Sequence, residues 1–170
     1  MFRTWLLIPA FALLTAFGAQ VSVPMTPVPM TLQSLAVVAA GLVLGWRGGA
    51  AAMGLYLLLG AVGLPVFSDG GAGLDALTGP TSGYLWSFPF AAAIAGLAPS
   101  TKDWRGIALA LAAALLAHAL ILGLGAAWLA QSTGWSEAFT FGVAPFLIGA
   151  VVKSAVAVAV CAALHRFRRA

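Results

Sequence analysis

The sequence predicts an all-α membrane protein, a compact bundle of six transmembrane helices with both termini cytoplasmic. Three observations predict it. The 170 residues are 62% hydrophobic and only 7% charged, whereas a soluble domain carries roughly 25% charged residues. Mean hydropathy is +1.05, and the apolar residues gather in runs of membrane-crossing length. The basic residues, finally, fall on one side of those runs. A single domain over residues 1–170 accommodates all of this, since no stretch has the polar surface of a separate soluble unit.

A span needs about 20 apolar residues, within a range near 17–25. The clear spans are 5–23, 106–130 and 145–164. The segments 32–46 and 50–64 are shorter and are divided by Arg47-Gly48-Gly49; 84–99 is also short and contains Pro89. Short spans thin the bilayer or shelter behind neighbours. Four spans with two re-entrant segments is the alternative to six. The first run follows Arg3 and ends in small residues, as a signal peptide does, but it continues to Val23 and is expected to be the first membrane helix.

Charge tests the count independently. With both ends inside, Arg3, Arg47, Lys102, Arg105, Arg166, Arg168 and Arg169 are cytoplasmic, and the outer loops hold no Lys or Arg. Asp69, Asp75 and Glu137 fall outside, and only Asp103 inside. This is the positive-inside pattern of a multi-pass protein of the cell membrane, whose partner is the lipid bilayer. The net charge of +4 is thereby topological, and no nucleic-acid partner is expected. The lone Cys161 excludes an intramolecular disulfide or a cysteine metal cluster.

One basic residue, Lys153, is not used for orientation. It stands within FLIGAVVKSAVAVAV, where a lysine at a membrane-helix centre costs about 2.5–3.5 kcal/mol on insertion scales. It needs a partner, a cavity or a ligand. Counting from Pro145 it lies about 12 Å along the last helix, within reach of an externally open cavity. Gly149, one turn earlier, would let backbone or ligand approach on the same face.

The outer loops look built for more than connection. VSVPMTPVPMTLQ, 21–33, repeats VPMT, and Pro24, Pro27 and Pro29 rule out helix and favour a stiff extended segment. Thr26, Thr31 and Gln33 are its hydrogen-bonding groups. The loop 65–86 is rich in glycine, and Tyr84 and Trp86 at its exit suit a pocket wall or an interface anchor. It lacks the GxxxxGK[ST] arrangement that cradles nucleotide phosphates, so no ATP cofactor is expected in this chain. His118, with no nearby carboxylate, is expected to be a packed, hydrogen-bonded residue, with a ligand-lining role as the alternative. Ser82 in PTSG resembles the GxSG of intramembrane serine proteases, but Pro80 replaces the first glycine, and no HExxH or paired aspartates appear. An enzyme is not expected. Ala12-x-x-x-Ala16 on the first helix and Ala155-x-x-x-Ala159-x-x-x-Ala163 on the last are small-residue faces suited to close packing.

These residues resemble the BioY family, the biotin-specific S components of energy-coupling factor transporters. The resemblance rests on VPMTLQ at 28–33, LGWRGGAAAMGLYLLLGAVGLPVF at 44–67, GPTSGYL at 79–85 and PFLIGAVVK at 145–153. It implies a six-helix, S-component-like subunit with an external substrate pocket formed by the later helices and lidded by the first and third loops. It implies that Lys153 donates to biotin, that Gly83 and Tyr84 lie near the pocket, and that Thr31 and Gln33 belong to the lid. Ala12 and Ala16 would dock on a transmembrane coupling protein, which carries two cytoplasmic ATPase subunits that use ATP. The family pattern PF-x-x-G-D-x-x-K has an aspartate where this chain has Ala150. Either another acceptor substitutes, Asp75, Glu137 or Asp69 being the external carboxylates, or ligand preference has shifted. Capture of another vitamin or small heterocyclic acid, and a non-transport assembly role, are the other readings.

Overall fold

The computed structural model describes residues 2–167, with side chains from 5 to 166; the Arg3 side chain, Arg168 and Arg169 lie outside the described residues. Helix α1 (Phe2–Gln20) leads into a small ribbon, β1 (Ser22–Val23) antiparallel to β2 (Met30–Thr31), with Ser22 opposite Thr31. The ribbon feeds α2 (Gln33–Ala61). A single helical turn, α3 (Gly73–Ala76), lies in the following loop. Then come α4 (Ser82–Ala95), α5 (Trp104–Thr133), the short α6 (Trp135–Gly142) and α7 (Leu147–Phe167).

Helix α2 is two rods. Gly45 takes φ 73° and ψ 174°, a left-handed φ that glycine adopts without steric cost, so the helix stops and restarts there. With the halves 33–44 and 46–61 taken separately, six apolar helices among the described residues occupy the six expected spans. The break falls at Gly45, a little before the expected Arg47-Gly48-Gly49, because Gly48 and Gly49 stay helical and are used for packing. A Cβ on Gly41 would lie 2.1 Å from the Ala92 oxygen, and one on Gly49 2.8 Å from the Gly41 Cα. Both halves of α2 therefore press bare backbone against α4 and each other. The 14 residues of α4 rise only about 21 Å, short of a hydrocarbon core near 30 Å.

Helix α5 starts where Asp103 caps it. Its Oδ1 accepts from the Gly106 N–H at 2.7 Å, a bond worth about 1 kcal/mol at a helix start. At the far end Gly134, φ 83°, turns the chain into α6. Bulky apolar side chains cover the outside of the bundle: Leu13 and Phe17 on α1, Leu109 and Leu116 on α5, Val152 and Val156 on α7 are all exposed. In water such a surface would aggregate; in a bilayer it is the lipid face.

The two ends differ in charge. At one, Gly96 lies against Trp46, the Thr101 hydroxyl meets His165 Nδ1 at 2.8 Å, and Arg47 lies over the Trp46 ring. Lys102 and Arg105 belong to this basic end. At the other end are Asp69, Asp75 and Glu137, all exposed.

Candidate functional site

A cavity opens at the acidic end between the first loop, the start of α2, α4, α5 and α7, with about 630 Å³ of empty space, part of it open to solvent. Its wall is mostly apolar: Val28 and Pro29 from the loop, Leu85 and Phe88 from α4, Ile121 and Leu122 from α5, Phe146 from the turn before α7 and Ala150 from α7. Into this wall are set Thr31, Gln33, Ser34, Ser68, Thr81, Tyr84, His118 and Lys153. An apolar surface into which polar groups converge is the usual form of a small-molecule site.

Each polar group is held by a local structural reason. The ribbon returns the first loop to α1, and the Leu32 N–H donates to the Gly18 oxygen at 3.1 Å. A Cβ on Gly18 would lie 3.1 Å from the Leu32 carbonyl carbon, so the absent side chain admits the loop. This places the Thr31 carbonyl opposite α7, where Lys153 Nζ donates to it at 2.5 Å and to Ser34 Oγ at 3.2 Å. The Gln33 N–H donates to Thr31 Oγ1 at 3.3 Å, while its side-chain Nε2 is buried without a partner. Tyr84 stands on α4 with its ring against Gly125, where a Cβ would lie 2.2 Å away, and its hydroxyl donates to the Gly142 oxygen at 2.8 Å. His118 Nδ1 lies 3.1 Å from the Ala114 oxygen and 2.9 Å from Ser154 Oγ; its Nε2 is buried and has no partner.

The third loop is tied down from several sides. Gln20 Nε2 donates to the Phe67 oxygen at 2.9 Å and the Tyr56 hydroxyl to the Val66 oxygen at 3.1 Å. The Phe67 ring sits edge-on to Tyr56 and against Gly60, where any Cβ would overlap it. Trp86 and Trp128 donate to the Leu77 and Gly79 oxygens, both at 3.0 Å. Ser82 is fully buried and donates to the Gly79 oxygen at 2.6 Å, which places it in a turn rather than at a reactive surface.

Of the residues expected near the pocket, Lys153, Tyr84, Thr31 and Gln33 line one cavity. Three others do not. Gly83 is packed into the α4–α5 contact, where a Cβ would lie 2.4 Å from that of Trp128. Asp75 is exposed on α3, outside the lining. Gly149 falls beside the lining stripe, which runs from Phe146, just before α7, to 150 and 153 on it; a Cβ at Gly149 would meet nothing within 4 Å. The carboxylates suggested as substitutes for an aspartate at 150 are also displaced from this role. Asp69, Asp75 and Glu137 all lie outside the lining, and both acceptors of the Lys153 ammonium are uncharged oxygens. The docking face expected on α1 is used, at least in part, within the bundle. Ala12 is fully buried in the bundle core and Ala16 half-buried against it, because the same small-residue face lets α1 pack on α2. Ser34, Phe146 and Ser154 were not singled out from sequence; the 3.6-residue period places Phe146 and Lys153 on one face, a signal present but not used.

A family model described as the BioY family matches residues 2–170. The chain is 42% identical to the probable biotin transporter BioY of Pyrococcus horikoshii over 94% of each protein. It is 38% identical to the biotin transporter BioY of Rhodobacter capsulatus, over 92% of this chain and 90% of that one. Its fold is similar to the crystal structure of the S-component for biotin from an ECF-type ABC transporter. That match has a TM-score of 0.84 at 23% identity and covers 96% of this chain and 91% of the other.

Proposed function

Because the chain belongs to the BioY family, we propose that it is a biotin-binding membrane subunit that mediates biotin uptake with a transmembrane coupling protein and two cytoplasmic ATPases. The observation that carries this is the cavity itself: a mostly apolar chamber holding one ammonium whose partners among the described residues are neutral oxygens. Biotin is complementary to it, with an apolar ring and tail, a flat ureido group and a carboxylate. Lys153 has three N–H donors; two are placed on Thr31 and Ser34, which leaves one for a ligand oxygen. The bound ligand offsets the cost of keeping an ammonium away from water. Tyr84, Thr31 and Gln33 shape the chamber around it.

The protein spans the cell membrane several times, with the acidic end and its cavity outside and the basic end inside. Ligand enters between the first loop and α7. Transfer inward needs motion of that loop or of the whole bundle, driven by the partner ATPases, so this chain acts as a capture subunit and not as an enzyme. Titration of the purified protein with biotin and a panel of other vitamins tests the assignment. Biotin is expected to bind at least about tenfold tighter than any other, a gap of about 1.4 kcal/mol. A tighter fit for another heterocyclic acid, as the alanine at 150 would permit, replaces biotin as the cargo; no binding across the panel contradicts capture.

A further inference from the structure

We propose that His118 is a ligand-binding residue whose Nε2 accepts a hydrogen bond from an N–H of the bound molecule. Gln33 supplies the complementary donor. This rests on the biotin reading above and assigns the recognition of the cyclic urea. His118 is only 3% exposed and lines the cavity. Its Nδ1 faces the Ala114 carbonyl oxygen at 3.1 Å, and a carbonyl only accepts, so the ring proton sits on Nδ1. Ser154 Oγ at 2.9 Å from the same nitrogen shares that proton and fixes the ring plane. In the neutral imidazole Nε2 is then a lone-pair acceptor, and it is buried with no hydrogen-bond partner among the described residues.

The second orphan has the opposite polarity. Gln33 is 6% exposed, and its Nε2, a donor, is also buried without a partner in the lining of the same cavity. Two unsatisfied buried groups in one chamber disfavour the empty state. A planar group with adjacent N–H and C=O satisfies both at once, and an apolar ligand satisfies neither. In the cavity lining of α7, one turn before Ser154, stands Ala150, with only a methyl group to face the ligand. The urea N–H is thereby read from α5 and its oxygen from the α2 start and Lys153.

The test uses calorimetric titration of the purified full chain with biotin and with its two cyclic carbamate analogues, in which oxygen replaces one or the other ureido N–H. The wild type is expected to bind one carbamate about tenfold or more weakly than biotin, the effect of losing one hydrogen bond to a buried acceptor. In His118→Leu biotin itself should weaken by about tenfold and the preference over that carbamate fall below about threefold. His118→Gln, whose amide oxygen can reach the same point, should keep most of the preference. Equal affinity of the wild type for biotin and both carbamates overturns the proposal, and needs no variant to fold. So does an unchanged preference in His118→Leu. A wild type that binds no biotin would instead overturn the cargo assignment on which the proposal stands.

Discussion

The two ends of the bundle are built on opposite plans. At the acidic end, backbone without regular partners is held by side chains reaching across the sequence: Gln20 to Phe67, Tyr56 to Val66, Tyr84 to Gly142, Trp128 to Gly79 and Lys153 to Thr31. Space remains between those ties. At the basic end, backbone touches backbone through Gly41, Gly49 and Gly96, and the charged side chains sit outside. No room is left. Polar ties leave a cavity with donors and acceptors facing it, whereas glycine contacts give close packing and nothing to bind with. Recognition belongs to the first end and the integrity of the fold to the second.

Substitution at glycines separates the two most sharply. A Cβ at Gly96 would lie 2.3 Å from the Trp46 backbone nitrogen. Gly96→Leu should cost more than about 4 kcal/mol and abolish recovery of monodisperse protein by size-exclusion chromatography. Gly149→Ala at the cavity end, with nothing within 4 Å of its Cβ, should leave the thermal midpoint essentially unchanged. A tolerated Gly96→Leu would show that the basic end is not close-packed as described. A smaller effect is expected at the polar ties. Tyr84→Phe leaves the Gly142 carbonyl without its donor, a cost of about 1–3 kcal/mol. Its thermal midpoint should fall by several degrees while the protein remains folded. An unchanged midpoint would mean that this tie does not hold the α6–α7 turn in place.

The spans were legible because a hydrophobic helix must match the bilayer whatever its neighbours do. The expected 106–130 is α5, Trp104–Thr133 in the structure, extended by its Asp103 cap at one end and by Gly134 at the other. The exact break in α2 was not legible: several glycines stand close together, and tertiary contact decides which one kinks. Helix α6 was expected as loop, since eight residues carry too little periodicity to announce a helix. At the site, Lys153 stood out because an ammonium inside an apolar run requires a partner, and Tyr84 because an amphipathic ring at the exit of a glycine-rich loop suits a pocket wall. Asp75 and Gly149 lie outside the lining, because sequence gives the loop and the turn but not which side of a helix faces the void. The burial of Ala12 was not legible for a related reason. A small-residue face is the same whether it meets its own bundle or a partner, and α1 spends it on α2. His118 was readable as hydrogen-bonded; that one of its nitrogens is left over appears only in three dimensions.

In the proposed function the Lys153 ammonium, held by neutral oxygens of the first loop and the α2 start, keeps binding capacity for a small vitamin acid. Titration of biotin into purified Lys153→Met, alongside wild type of matched monodispersity, tests it most directly. Loss of a charged hydrogen bond should weaken binding by about 10–100-fold, with the fold intact by thermal midpoint. A dissociation constant within about threefold of wild type would contradict the account and remove Lys153 from the site.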